Sequence, residues 1–296
     1  MCCEDLELLH HFSTVTYATM AIRDDLRRMW QIDVPKMALK QSFLMHSIFS
    51  VTALHIASSS AENQALYTGR AIHHYSIALE EYSNKLKGIT KENNCSLIIC
   101  ASLTVVFALS LAMSSPTQDP MQPIEELLGI FTLLRGLPLV LGETWSLVQQ
   151  SEIAPLFVGI NSADSIVLSD EVTNAIQLLE DQIERMAPSD ADRDIYVRAT
   201  QGVKDCFKLV SLKDIDNGMA LSWPVSLSPE YTALLSSRQD IALIILAHYA
   251  VILNEIRDTW WAKGWGSKLI QEVNQVVSYE WKSLVAWPMY KIGMGK

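Results

Sequence analysis

Leu97–Met113 reads LIICASLTVVFALSLAM, 17 residues without a charge, and Asp240–Leu253 reads DIALIILAHYAVIL, apolar almost throughout after its first residue. The first run sits at the lower length limit for crossing a bilayer. It lacks basic flanks, and Ser102, Thr104 and Ser110 lie inside it. The second run is too short to cross. A helix that is apolar on every side belongs in the middle of a protein core, so both runs are read as buried central helices.

Working outward from them, the spacing is helical nearly everywhere. Ala65, Ile72, Tyr75, Leu79, Tyr82 and Leu86 recur every three to four residues or multiples of that. Val172, Ala175, Ile176, Leu179, Ile183 and Met186 do the same behind Ser169 and Asp170, which suit a helix N-terminus. Ala199, Val203, Phe207 and Val210 form another stripe, and Ile270, Val273, Val277, Trp281 and Leu284 a further one. Period-two alternation is missing, and Asp216-Asn217-Gly218 has no alternating flanks to make it a hairpin. Breaks fall at Ser114–Pro123, Gly159–Asp170, Ala187–Asp194 and Ser211–Glu230. They divide the chain into roughly ten helices without a fixed repeat. The two apolar runs lie far apart in sequence. The expected architecture is therefore one all-α domain over residues 1–296, with both runs in a shared core beside a hydrophobic pocket.

Composition narrows the function. The 296 residues are 49% hydrophobic and 19% charged, and 23 Lys+Arg against 33 Asp+Glu give a formal charge of −10. Disorder needs the opposite balance. Phosphate recognition needs clustered cations, so no direct nucleic-acid binding by this chain is expected. The acidic start Met1-Cys2-Cys3-Glu4-Asp5 is no secretory leader. Cysteines at 2, 3, 95, 100 and 206 form neither a disulfide framework nor a metal knuckle, which points to a reducing, intracellular setting in cytoplasm or nucleus.

Chemistry-bearing patterns are few. The seven histidines offer no metal-ligand spacing, since His10-His11 and His73-His74 are adjacent and His46 and His55 are nine apart. Asp24-Asp25 and Asp181-x-x-Glu184 are candidates for the carboxylate clusters that hold Mg²⁺ against a diphosphate. Asp181 faces away from the stripe of its own helix, and no second cluster follows. No phosphate loop, dinucleotide fingerprint or nucleophile elbow is present. Neither a metal nor a cofactor is expected. His248, inside an apolar helix beside Tyr249, needs a partner if buried: a ligand hydroxyl or, more commonly, a backbone carbonyl. Five of the eight tryptophans (260, 261, 265, 281 and 287) crowd the C-terminal end together with Met289. Most of these pack the core, but such an aromatic concentration also suits a concave apolar pocket.

Several blocks carry a resemblance. They include Glu7-Leu8-Leu9-His10-His11-Phe12, Phe43-Leu44-Met45-His46 running into Ala53-Leu54-His55-Ile56-Ala57, and Glu125-Glu126-Leu127-Leu128 running on to Leu134-Arg135-Gly136. Leu221-Ser222-Trp223-Pro224-Val225, Ile245–Ala250, Trp260-Trp261, Gly264-Trp265-Gly266 and Trp287-Pro288 through Gly293 complete the set. Together they resemble the fungal transcription-factor regulatory domain, in particular that of the sterol-uptake regulators with a zinc binuclear cluster. The six-cysteine basic segment of those regulators has no counterpart here. The resemblance implies an all-α ligand-binding domain whose apolar pocket takes a sterol-like molecule and whose occupancy governs transcription. It implies that Trp261 and Trp265 touch the ligand and that Gly264, Gly266 and Gly293 lie in a segment that rearranges around it. It leaves room for a homodimer or a heterodimer with related regulators. Phe107, Leu111, Leu246, Tyr249 and Leu253 are expected to line the pocket because they lie on the two apolar helices, and Met289 because it lies in the aromatic tail. The alternative is a metal- and nucleotide-independent enzyme of fungal terpenoid or polyketide secondary metabolism, a cyclase, isomerase or pericyclase evolved from such a domain. Its acid/base groups would be His248, Tyr249 or His55.

Overall fold

A computed structural model describes residues 3–114, 123–134, 137–158, 165–187, 189–212 and 216–294. In chain order the α-helices are α1 Cys3–His11, α2 Tyr17–Met20, α3 Asp24–Arg28, α4 Val34–Ala38, α5 Ser42–Ser59 and α6 Gln64–Lys85. Then come α7 Asn94–Ser114, α8 Pro123–Leu134, α9 Leu137–Val148, α10 Asp170–Met186 and α11 Asp190–Val210. The last are α12 Ser222–Ser226, α13 Pro229–Ser236, α14 Asp240–Glu255, α15 Trp265–Val276 and α16 Lys282–Lys291. Among the described residues there is no strand, so the all-α reading holds. The helices outnumber the roughly ten expected from spacing alone, because several are single turns: π-helical turns at Phe12–Thr16 and Met29–Asp33 interrupt the chain before α5, and Pro224 and Pro229 cut the stretch before α14.

The helices gather into two compact units, one of Met1–Ser115 with Thr132–Val158 and one of Pro116–Phe131 with Gly159–Lys296. Each has one of the apolar runs at its heart. In the first, α7 carries the uncharged run and 67% of its most apolar stretch is buried. It is the one described helix long and apolar enough to cross a membrane by length and composition. It packs on α5, which is itself buried on nearly every side through Phe43, Leu44, Ile48, Phe49, Val51 and Leu54. The first helix and the π-helical turn after it close this unit through Leu8 and Phe12, both fully buried.

In the second unit α14 is buried without a break from Ile241 to Asn254, with α11, α15 and α16 packed on it. Serine caps start the surrounding helices. Ser169 Oγ accepts from Val172 N, Ser189 Oγ from Asp192 N and Ser228 Oγ from Tyr231 N, each satisfying a backbone donor that the first turn leaves unpaired. Asp181 and Glu184 point to solvent, as their phase predicts.

Candidate functional site

Tyr249, Leu246 and Leu253 share one face of α14, and all three are completely buried. Tyr249 lies in an aromatic cluster with Trp223, at 4.4 Å between ring centroids, and Phe131, at 6.5 Å. Its hydroxyl donates to Ala220 O at 3.0 Å. Trp223 Nε1 donates to Ala199 O and Tyr231 Oη to Ala242 O, so every polar atom these rings bring inside is spent on backbone. Burial, with the nearby Cys206 adding to it, pushes the Tyr249 hydroxyl well above the usual tyrosine range.

His248 turns about 100° away from Tyr249 around the helix. Its Nδ1–H donates to Ile244 O at 2.9 Å, the carbonyl partner rather than the ligand one, and its ring stacks on Trp287 at 5.3 Å. Trp287 is in turn fastened to α10: its Nε1 donates to Glu171 Oε1 at 3.1 Å, and Lys291 Nζ meets Glu171 Oε2 at 2.8 Å. Burial lowers the His248 imidazole to about 4, against the small upward pull of Ile244. A neutral histidine and a protonated tyrosine that face different ways cannot serve one reacting atom together.

The remaining residues expected in this unit lie in the turn before α15, at the start of α15 and at α16. Gly264 adopts a left-handed backbone, φ 87°, that a side chain would strain, and it opens α15. Gly266 lies against α14 so closely that a Cβ would stand 2.5 Å from Ala250 O. Trp265 is fully buried. Trp261 is 3% exposed, and its indole Nε1–H finds no acceptor among the described residues. Met289, on α16, is half-buried, and Gly293 follows that helix with φ 79°. One recess among the described residues of this unit, about 60 Å³ against Ile195, Arg198, Ala199, Ser226, Leu227, Ser228 and Tyr231, touches none of the expected lining residues. It has room for water, not for a ligand of several rings.

The other expected residues belong to the first unit. Phe107 is buried and stacks on Tyr75 with centroids 4.0 Å apart; Leu111 is half-buried. His55 Nδ1 lies 2.9 Å from the buried Thr16 Oγ1, and its ring is 5.7 Å from His11. Sequence spacing missed a second polar cluster, because its members come from three helices: His46 and His74 face each other Nδ1 to Nδ1 at 2.9 Å, and His74 Nε2 lies 3.6 Å from Asp5 Oδ1. Two imidazoles so placed share one proton, His46 or His74 donating and the other accepting. With Asp5 beside Nε2 of His74, the neutral ring carries its one hydrogen there, so its Nδ1 accepts and His46 Nδ1–H donates.

Burial lowers His55 to about 4 and His74 to about 4, as it does His248. A histidine with a depressed folded value is favoured neutral, so its stabilisation is complete above the ordinary value of 6.5 and is lost as pH falls toward 4. The denaturant midpoint should therefore drop steadily between those pH values. His248→Phe, which keeps the stack on Trp287 but cannot titrate, should show a shallower drop; an unchanged slope removes His248 from this account.

Residues 7–119 match the fungal specific transcription factor domain. A Zn(2)-C6 fungal-type transcription factor of Gibberella zeae is 27% identical over 96% of this chain and 61% of its own length. Sterol uptake control protein 2 of Candida albicans is 25% identical over 59% of this chain and 23% of its own. The Zn(2)-C6 fungal-type transcription factor afumD of Aspergillus fumigatus is 38% identical over a shorter stretch, 21% of this chain and 17% of its own. The chain thus spans less than two thirds of the length of each of these relatives.

Proposed function

We propose, from the match of residues 7–119 to the fungal specific transcription factor domain, that this chain is a regulator-type sensing domain that takes a hydrophobic small molecule, sterol- or terpenoid-like, inside the cell. The observation that carries the reading is Trp261. A buried indole N–H without an acceptor costs about 1–3 kcal/mol, and an oxygen on a bound apolar molecule would recover it. The position supports this, since Trp261 precedes a left-handed glycine and a helix seated on α14. The name of the Candida albicans relative supports the sterol class. An apolar molecule burying about 400 Å² gains on the order of 10 kcal/mol, enough to outweigh association costs without any charged contact. The unit is tightly packed around α14, so the ligand enters as the turn at Trp260–Gly264 and the α16 segment give way.

Native mass spectrometry of the purified chain, with added ergosterol as probe, tests this. A one-to-one adduct and a raised Tm are expected, and Trp261→Phe, which keeps the ring but loses the donor, should weaken binding about tenfold. No adduct and no change in Tm with ergosterol, or with a terpenoid alcohol such as farnesol, overturns the reading.

A further inference from the structure

The outward face of α6 is unusual for a solvent-facing helix. Leu66, Ile72 and Leu79 stand 54%, 45% and 36% exposed. From Gln64 to Leu79 its exposed residues carry no formal charge, because Arg70 turns inward to Glu4 and Glu7 on α1. A free helix surface ordinarily places its charges there. Gly69 sits in the middle of the same face. Glycine in an exposed helix interior costs about 1 kcal/mol relative to alanine, yet none of the described residues lies within 4 Å of where its Cβ would be. Intramolecular packing therefore does not call for it. Ser76 and Ser83 continue its seven-residue spacing, and each hydroxyl donates back to its own helix, to Ile72 O and Leu79 O. They can be covered without leaving a polar group unpaired.

We infer that this face pairs with the same face of a second copy of the chain, antiparallel about a two-fold axis near Ser76. The arrangement is self-complementary, as an isologous contact must be. It sets Gly69 opposite Ser83 of the other copy and Leu66 opposite its Leu86, so the backbones approach closely and the leucines and isoleucines interleave beside them. It also brings the exposed acid just before the helix, Glu62, toward the exposed Lys87 just past the end of the other, and His73 near the other's Glu80. A parallel pairing would set like charges together. A helix of 22 residues is about 33 Å long. One such pair falls at the small end of specific interfaces, so a dimer of micromolar rather than nanomolar strength is expected.

Sedimentation equilibrium of the full chain should show a monomer–dimer equilibrium between 1 and 100 µM, in round numbers at the micromolar scale set by this area. The double variant Ile72→Glu, Leu79→Glu should be monomeric throughout, with an unchanged helical circular dichroism spectrum. Because charges there could disturb folding, cross-linking gives a separate reading. With Cys2, Cys3 and Cys95 replaced by serine, Gly69→Cys and Ser83→Cys chains are mixed and oxidised. A disulfide dimer should form only in the mixture. Cross-linking of each variant with itself, or none at all, overturns the antiparallel pairing, as does a monomer at every concentration.

Discussion

Gly266→Ala is expected to lower stability by about 3 kcal/mol, a large effect for one methyl group. An added Cβ would stand 2.5 Å from Ala250 O, 2.6 Å from Asn254 Cβ and 2.8 Å from Asn254 N. Two of these three atoms are backbone of α14, which is buried from Ile241 to Asn254 and cannot swing aside as a surface side chain can. Relief would require α15 to move bodily off α14, opening the core around the fully buried Leu269, Ile270 and Val273. The control is Gly129→Ala on α8, where none of the described residues lies within 4 Å of the new methyl group. That change should be neutral or stabilise by up to about 1 kcal/mol through helix propensity alone. Urea denaturation of both variants checks the pair. Equal midpoints would mean that α15 is not seated as described, and would also remove the basis for placing a ligand-responsive turn at its start.

What the sequence made legible were features that a single helix decides. The buried runs of α7 and α14, the stripe of α10 and its Ser169 cap follow from local order and composition, and the structure has them in place. Spacing failed where a pattern fits two arrangements. Ile270, Val273, Val277, Trp281 and Leu284 read as one helix, but α15 stops at Val276, where Val277 is extended, and Ser278 is held by both carboxylate oxygens of Asp240. The periodicity persists because two short helices bury the same side. On α6 the stripe through Ile72 and Leu79 reads as a core face, whereas the structure buries Ala71, His74 and Ala78 and leaves those two outside. Small and polar residues won the inside because α5 lies close and His46 offers His74 a partner. The candidate site was less legible still. Its residue types were recognisable, but whether His248 met a ligand or Ile244 O depended on contacts that no spacing encodes. Phe107, Leu111 and His55 lie in one unit and Leu246, His248, Tyr249, Leu253, Trp261, Trp265 and Met289 in the other.

Glu272→Ala is expected to cost about 3–5 kcal/mol, the range for breaking a buried ion pair from one side. Glu272 is completely buried. One carboxylate oxygen accepts from Ile124 N at 2.8 Å, taking a donor that the first turn of α8 leaves unpaired, and the other meets Arg238 Nη1 at 2.8 Å. Arg238 also reaches Glu125 at 3.1 Å, so one acid fastens α8, α15 and the turn between α13 and α14. Alanine would leave the Ile124 N–H without its acceptor and take from Arg238 its buried carboxylate partner. Glu272→Gln keeps an oxygen for Ile124 and should cost about 1 kcal/mol. Burial raises the carboxyl above its ordinary range despite the pull of Ile124 and Arg238. The folded chain therefore holds that proton more tightly than the unfolded one. This share of stability is fully present below the ordinary value of 4.5 and is lost as pH rises through the raised value; Glu272→Gln should abolish that dependence. Arg238 itself has φ 58°, a left-handed backbone that costs a side chain about 1–2 kcal/mol. Arg238→Gly should therefore be more stable than Arg238→Ala by about 1 kcal/mol, although both lose the ion pair. If the two variants melt together, the backbone strain is not real. If Glu272→Ala unfolds no more easily than Glu272→Gln, the carboxylate is not what holds α8 to α15.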